Sequence, residues 1–240
     1  MFGVAGTGVA VMLLLAVWGL PDFGAAVHPY RDASVPAAVR HVTANVVSSI
    51  NFDLRGLDTF GEETILLASV LGVAVLLRPG EDERERRLFG GGFVMPSTQL
   101  AGYVFLPITL IIGFLTAAHG AITPGGGFQG GVALGTGVHL LYVAGRYESL
   151  ERVRPVAVLE WGEAIGAGAF ACFGIAGALA SASFLGNLLP LGSFGDLFSS
   201  GGVLFLSCAV GIEVASGVVV LLAQFLRQVI EIEPDGGDGS

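Results

Sequence analysis

Glu213 stands deep inside the apolar run Gly201 to Leu226, with uncharged sequence on both sides. A carboxyl group at that depth is costly in lipid, so it must face a partner helix, a counter-charge or a water-filled cavity. Gly211, Ala215 and Gly217 surround it with small residues that permit close approach of another helix. A functional or inter-subunit ion-pair role is favoured over a purely architectural one. Glu160 and Glu163 are three apart and share a face near the start of another apolar run, Val156 to Phe184. Glu160 can snorkel to the interface, whereas the deeper Glu163 is either neutral or paired with an arginine from elsewhere. Gln129, Thr136 and His139 fall on one face of a helix starting near Phe128. His139 reads equally as a proton relay or as a hydrogen-bonded structural residue.

Two further stretches carry polar chemistry. In NFDLRGLDTFGEET, residues 51–64, Asp53, Arg55, Asp58, Glu62 and Glu63 lie between two apolar runs. Asp58 or Thr59 can cap the following helix, with Glu62 or Glu63 in its first turn and Arg55 neutralising an acid. The competing reading is a charged access route for cations. In HGAITPGGGFQGGV, from His119 to Val132, three glycines after a proline open backbone geometries closed to other residues. A tight hairpin explains the stretch, as does irregular backbone held against other helices near membrane depth. Gly127, Gly131 and Gly135 recur every fourth residue, which lets another backbone come close.

The elements that position these groups belong in lipid. The 240 residues are 53% hydrophobic and 13% charged, against roughly 25% charged in soluble domains, and the mean hydropathy is +0.77. An ordinary soluble enzyme is thereby excluded. The net charge is −9, all 11 bases are arginine, and no basic surface exists to hold nucleic acid. Cys172 and Cys208 lie in apolar blocks and read as packing residues, and no metal-ligand or cofactor-attachment spacing occurs. Neither a metal nor a cofactor is expected.

Apolar windows at Gly3–Leu20, Glu62–Leu77, Gln99–Ala118, Val156–Phe184 and Gly201–Leu226 meet or approach the length needed to cross a bilayer. The first lacks a basic leader and a small-residue cleavage site, so it is expected to be a retained helix. Phe128–Val143 is a sixth span, and Val35–Ile50, interrupted by Arg40, His41 and Asn45, a seventh. With seven spans, Arg31, Arg40, Arg78, Arg84, Arg86, Arg87, Arg146, Arg152, Arg154 and Arg227 share one side, and Arg55 alone lies opposite. Arginine stays cytoplasmic. The expected architecture is therefore all-α and polytopic, with about seven transmembrane helices, the N-terminus outside and the C-terminus in the cytoplasm. Four segments follow: a three-helix unit over 1–78, a charged linker over 79–96, a four-helix unit over 97–228 and an acidic, disordered tail over 229–240.

PGGGFQGGV at 124–132 and FLGNLLPLGSFGDLFSSGG at 184–202 resemble the MnhB domain of the multisubunit Mrp-type Na+/H+ antiporter, a likeness covering about residues 97–228. NVVSSINFDLRGLDTFGEETILL at 45–67 resembles the C-terminal part of the large Mrp subunit, a piece that stands alone as the small MbhE-like subunit of membrane-bound hydrogenases. The resemblance implies a non-catalytic membrane subunit of a hetero-oligomer that exchanges cytoplasmic Na+ for external H+, in a prokaryotic cell membrane. Other polypeptides supply the antiporter-like channels in that family. Arg55, Gly56, Asp58, Thr59, Gly61 and Glu62 match the pattern of the large subunit, and Pro124, Gly125, Gly126, Gly127, Phe128, Gln129, Gly130 and Gly131 match that of the MnhB domain. Glu213 falls where related chains often carry a base.

The ion-translocation candidates are thus Glu213, His139, His119, Glu163, Glu160, Glu62, Asp58 and Arg55. The runner-up places the same fold in a membrane-bound hydrogenase or related redox-driven pump, and a third reading makes the chain a structural scaffold. An intramembrane protease is disfavoured because neither GxSG nor a paired-aspartate context occurs.

Overall fold

A computed structural model describes residues 2–20, 24, 26–78, 94–144 and 156–226, and all regular structure among them is helical. The chain divides into two units between Pro36 and Ala37. In the first, α1 (Phe2–Trp18) is apolar all round, with every described side chain exposed. Such a helix is stable against lipid or a partner, not in water. α2 (Pro29–Arg40) begins on a proline, whose fixed φ suits a first helical position. The His28 N–H donates to Asp32 Oδ2 at 3.2 Å, closing that first turn.

The segment 35–50, expected to be one helix, is not one. α2 ends at Arg40, and Val42 takes a left-handed conformation at φ 58°. Asn45 then caps a single turn, α3 (Val46–Ser49), by accepting from Val47 N–H. A π-helical turn, Ile50–Leu54, follows. The polar residues that interrupt the apolar pattern are those that break the helix. α4 (Gly56–Leu76) starts two residues before Asp58, so neither Asp58 nor Thr59 is its cap. The Thr59 hydroxyl instead donates to Asn51 O at 2.8 Å, holding the π-turn onto α4.

α5 (Pro96–Ala118), α6 (Gly127–Ala144), α7 (Val156–Ser181) and α8 (Val203–Leu226) complete the bundle. Four of the described helices are long and apolar enough to cross a membrane: α4, α5, α7 and α8. α8 is the hub, with 67% of its apolar window buried against 17–28% in the other three. It packs on α4, α5, α6 and α7, while α5 pairs with α6.

Glycine makes the α6 contacts possible. A β-carbon at Gly131 would lie 2.8 Å from Gly211 O of α8, and one at Gly130 would lie 2.6 Å from Ala117 N of α5. Adjacent glycines therefore seat α6 between two backbones, as the four-residue spacing predicts. At the hairpin before α6, Gly125 and Gly126 take φ values of 144° and 147°, conformations that side chains disfavour. Most of the charged linker, residues 79–93, and the acidic tail, 229–240, lie outside the described residues, as do Arg84, Arg86, Arg87, Arg146, Arg152, Arg154 and Arg227.

Candidate functional site

Three carboxyl groups meet where α4, α7 and α8 pack together. Glu63 of α4 is 1% exposed, Glu163 of α7 3%, and Glu213 of α8 0%. Small residues create the junction. A β-carbon at Gly166 of α7 would lie 2.8 Å from Glu213 N, and one at Gly217 of α8 would lie 3.3 Å from Glu163 Oε1 and 3.2 Å from Val70 of α4. The carboxyl groups of Glu63 and Glu213 face each other within hydrogen-bonding reach. Apart from that mutual contact, their four oxygens and Glu163 Oε1 meet no hydrogen-bonding group of the described chain. Native proteins rarely leave buried polar groups so.

Among the described residues, no base offsets these acids. The chain has no lysine, and the described arginines, Arg31, Arg40, Arg55 and Arg78, are all exposed. Arg55 pairs instead with the exposed Asp58 three residues on.

A second polar group occupies the end of the bundle formed by residues 41–55, 119–126 and 182–202, and here partners abound. Asn45 Nδ2 donates to Gly120 O at 2.8 Å and Thr123 O at 2.9 Å. The Ser48 hydroxyl donates to Gly120 O at 2.5 Å, that of Ser207 to Ala117 O at 2.8 Å, and that of Ser200 to Val42 O at 3.1 Å. Asp53 Oδ2 lies 3.5 Å from His41 Nδ1 and accepts from Ser49 Oγ at 3.2 Å. Burial raises the Asp53 carboxyl above the usual aspartate range, and the charge of His41 and the Ser49 hydrogen bond pull against that shift.

Aromatic rings separate the two groups. Phe60 of α4 stacks on Phe170 of α7 at 5.9 Å between centroids, and Phe52 tilts against Phe170 at 6.3 Å. Leu206 and Val210 of α8 join the same apolar cluster. Phe60 lies between Asp53 and Glu63 along the chain and packs against that cluster, so the rings stand between the two polar regions.

The other sequence candidates fall elsewhere. Glu62 and Glu160 are exposed, each beside or one turn from a buried acid. His119 ends α5, its Nδ1 3.0 Å from Leu115 O, a helix-capping geometry. His139 is half-buried on α6, which packs on α5 and α8 rather than on the α4–α7 side. Gln129 and Thr136 are exposed. Glu63, which the sequence offers as a first-turn residue or as part of a charged access route, is the acid that α4 turns inward. Among the described residues, no group of three or more His, Cys, Asp or Glu side chains is disposed to hold a metal ion.

Residues 98–220 match a family model described as a domain related to the MnhB subunit of the Na+/H+ antiporter. The chain belongs to this MnhB-related family. It is 27% identical to the uncharacterized protein MJ1307 of Methanocaldococcus jannaschii, over 74% of this chain and 75% of that one. It is 31% identical to a probable K(+)/H(+) antiporter subunit, of the A/B type, from Rhizobium meliloti over 49% of this chain, which spans only 14% of that larger protein. Among solved structures, it resembles a chain of the membrane-bound sulfane sulfur reductase, an archaeal respiratory membrane complex. That likeness has a TM-score of 0.72 at 25% identity and covers 94% of this chain and 99% of that one. It shares its fold with part of the Mrp complex from Dietzia sp. DQ12-45-1b, at a TM-score of 0.69 and 21% identity over 97% of this chain and 26% of that one. The MnhB-related chain is thus a multi-pass membrane protein whose solved relatives work within multisubunit complexes.

Proposed function

We propose that this chain is a non-enzymatic membrane subunit of a multisubunit cation/proton antiporter-type complex in a prokaryotic cell membrane, and that its buried acids form its share of the ion path. The observation that carries the reading is the Glu63–Glu163–Glu213 junction, three buried acids with no base beside them among the described residues. Groups so costly to bury in a membrane mark ion routes. The exchanged cation is Na+ or K+, as named for the relatives. Co-purification from native membrane should recover antiporter-like partner subunits. In vesicles containing that complex, Glu213→Gln should cut cation-dependent proton exchange on the order of 10²-fold, the scale of a lost proton-transfer group. Parental exchange in an assembled variant would return Glu213 to a structural role.

A second reading has its own support. The matched chain of the sulfane sulfur reductase is covered over 99% of its length, whereas the antiporter chains are covered over 26% and 14%. A chain matched over nearly its whole length thus belongs to a respiratory complex, which supports this reading, and redox subunits in the purified assembly would select it.

The topology is also part of the proposal. With 35–50 broken, we read α1 and α6 as spans beside α4, α5, α7 and α8, which makes six among the described residues in place of the expected seven. The arginine-rich segments around 78–87, 146–154 and 227 keep the C-terminus cytoplasmic. Six crossings then place the N-terminus on that side too. The division into 1–78 and 97–228 is likewise part of this proposal and is supported over 98–220 by the family match.

A further inference from the structure

Glu63 and Glu213 meet acid to acid, and the other titratable groups that face them among the described residues are also acids: Glu62 on α4, and Glu163 and Glu160 on α7. Two adjacent carboxylates without a base cannot both stay charged in a medium that screens poorly. One proton between them converts the repulsion into a strong O–H···O− hydrogen bond. A dehydrated metal cation would need several converging oxygens, and no such group of three or more side chains is found among the described residues.

The surroundings give the pair a direction. Towards the end where α4 and α8 begin, Phe52, Phe60 and Phe170 shut it off. Towards the other end of α8, the buried polar residues Glu163, Ser216 and Gln224 continue the line. Ser216 faces Gly162 of α7, one residue from Glu163.

We propose that Glu63 and Glu213 hold a single shared proton, loaded past Glu163 and Ser216 and sealed from the opposite end by Phe60 and Phe170, so that this junction exchanges protons with one side and does not take the metal cation. The proposal rests on the junction being part of the ion path. Transfer is a simple relay: a proton entering from the Gln224 side neutralises the Glu163 carboxylate, Glu163 passes it to the pair, and one proton leaves the doubly protonated pair by the same groups, so that the pair never drops below one proton.

The test uses the purified complex in proteoliposomes, comparing the parent with Glu63→Gln, Glu213→Gln and the double variant. Each single variant should lose about tenfold or more of its exchange rate, with the KM for Na+ unchanged within about twofold. The double variant should be no slower than the worse single one, because the two groups act as a unit. Infrared difference spectra of the parent should show a protonated-carboxyl band that either substitution removes and Na+ does not shift. A KM for Na+ raised about tenfold, multiplying losses in the double variant, or no such band in the parent complex would overturn the shared-proton assignment alone. Parental exchange in all three variants would overturn both it and the ion-path reading.

Discussion

The two polar regions of the bundle are built on opposite rules. At the loop-rich end, Asn45, Ser48, Ser200 and Ser207 each donate to a backbone carbonyl. Their polar groups satisfy carbonyls that helix ends and turns leave open. At the α4–α7–α8 junction, three acids buried as deeply as those serines accept nothing from backbone or hydroxyl at five oxygens. The first region is structure held together by hydrogen bonds. The second holds open bonding capacity in the interior, at a cost that close packing around Gly166 and Gly217 helps to offset. Polar residues in the first region should therefore affect assembly, and those in the second should affect exchange.

The sharpest way to break that contrast is to compare neighbours on α4. Glu63→Gln should reduce exchange on the order of 10²-fold in an assembled complex. The amide introduced there can donate to Glu213, so stability should be kept. Glu62→Gln, one residue away and exposed, should leave exchange within about twofold. Equal effects in vesicle assays would mean that burial does not separate the two acids.

Next in size is Asn45→Ala. It removes the cap of α3 and the bonds to Gly120 O and Thr123 O; Gly120 O keeps the Ser48 hydroxyl and the other two groups are exposed, so the loss is that of a cap and two hydrogen bonds, about 3 kcal/mol in all. Thermal unfolding in detergent should show a lower Tm and less complex recovered, while the complex that survives exchanges with the parental pH profile. A shifted profile would tie this end of the bundle to the chemistry.

Smaller still is the glycine pair. Gly131→Ala drives a β-carbon against Gly211 O and Val214 and should destabilise by about 1–3 kcal/mol through overpacking. Gly61→Ala meets nothing within 4 Å and should be neutral or stabilising by up to about 1 kcal/mol, since alanine favours helix. Similar Tm losses in both would show that α6 does not rely on backbone proximity.

Much of this contrast was legible in the sequence. Glu163 and Glu213 stand out because they interrupt long apolar runs, and the Gly127–Gly131 spacing announces a close helix contact. Glu63 was hidden by its neighbour: two adjacent acids near a helix start suit the helix dipole equally well, and only the 100° turn per residue decides which faces inward. The break in 35–50 had a trace in Arg40, His41 and Asn45. The left-handed Val42 had none, because its turn is held by contacts with residues 120–123 and 200, far away in sequence. The π-turn had none either, since it is held by the Thr59 hydroxyl on Asn51 O, a bond that no apolar pattern announces.

The mildest test concerns Asp53, the acid of the satisfied region. Because burial raises its carboxyl above the ordinary value of 3.8, the folded chain keeps this proton where the unfolded chain has lost it. Stability from this group therefore falls as pH rises from 3.8 through the higher folded value and is flat beyond it. Asp53→Asn, still able to accept from Ser49, should flatten that segment of a Tm profile recorded upward from about pH 4 and leave exchange rates untouched. A slope that persists in the variant would assign the acid-side titration to another group. A change in exchange rate would instead show that protons cross the Phe60–Phe170 layer, and that the two regions work as one.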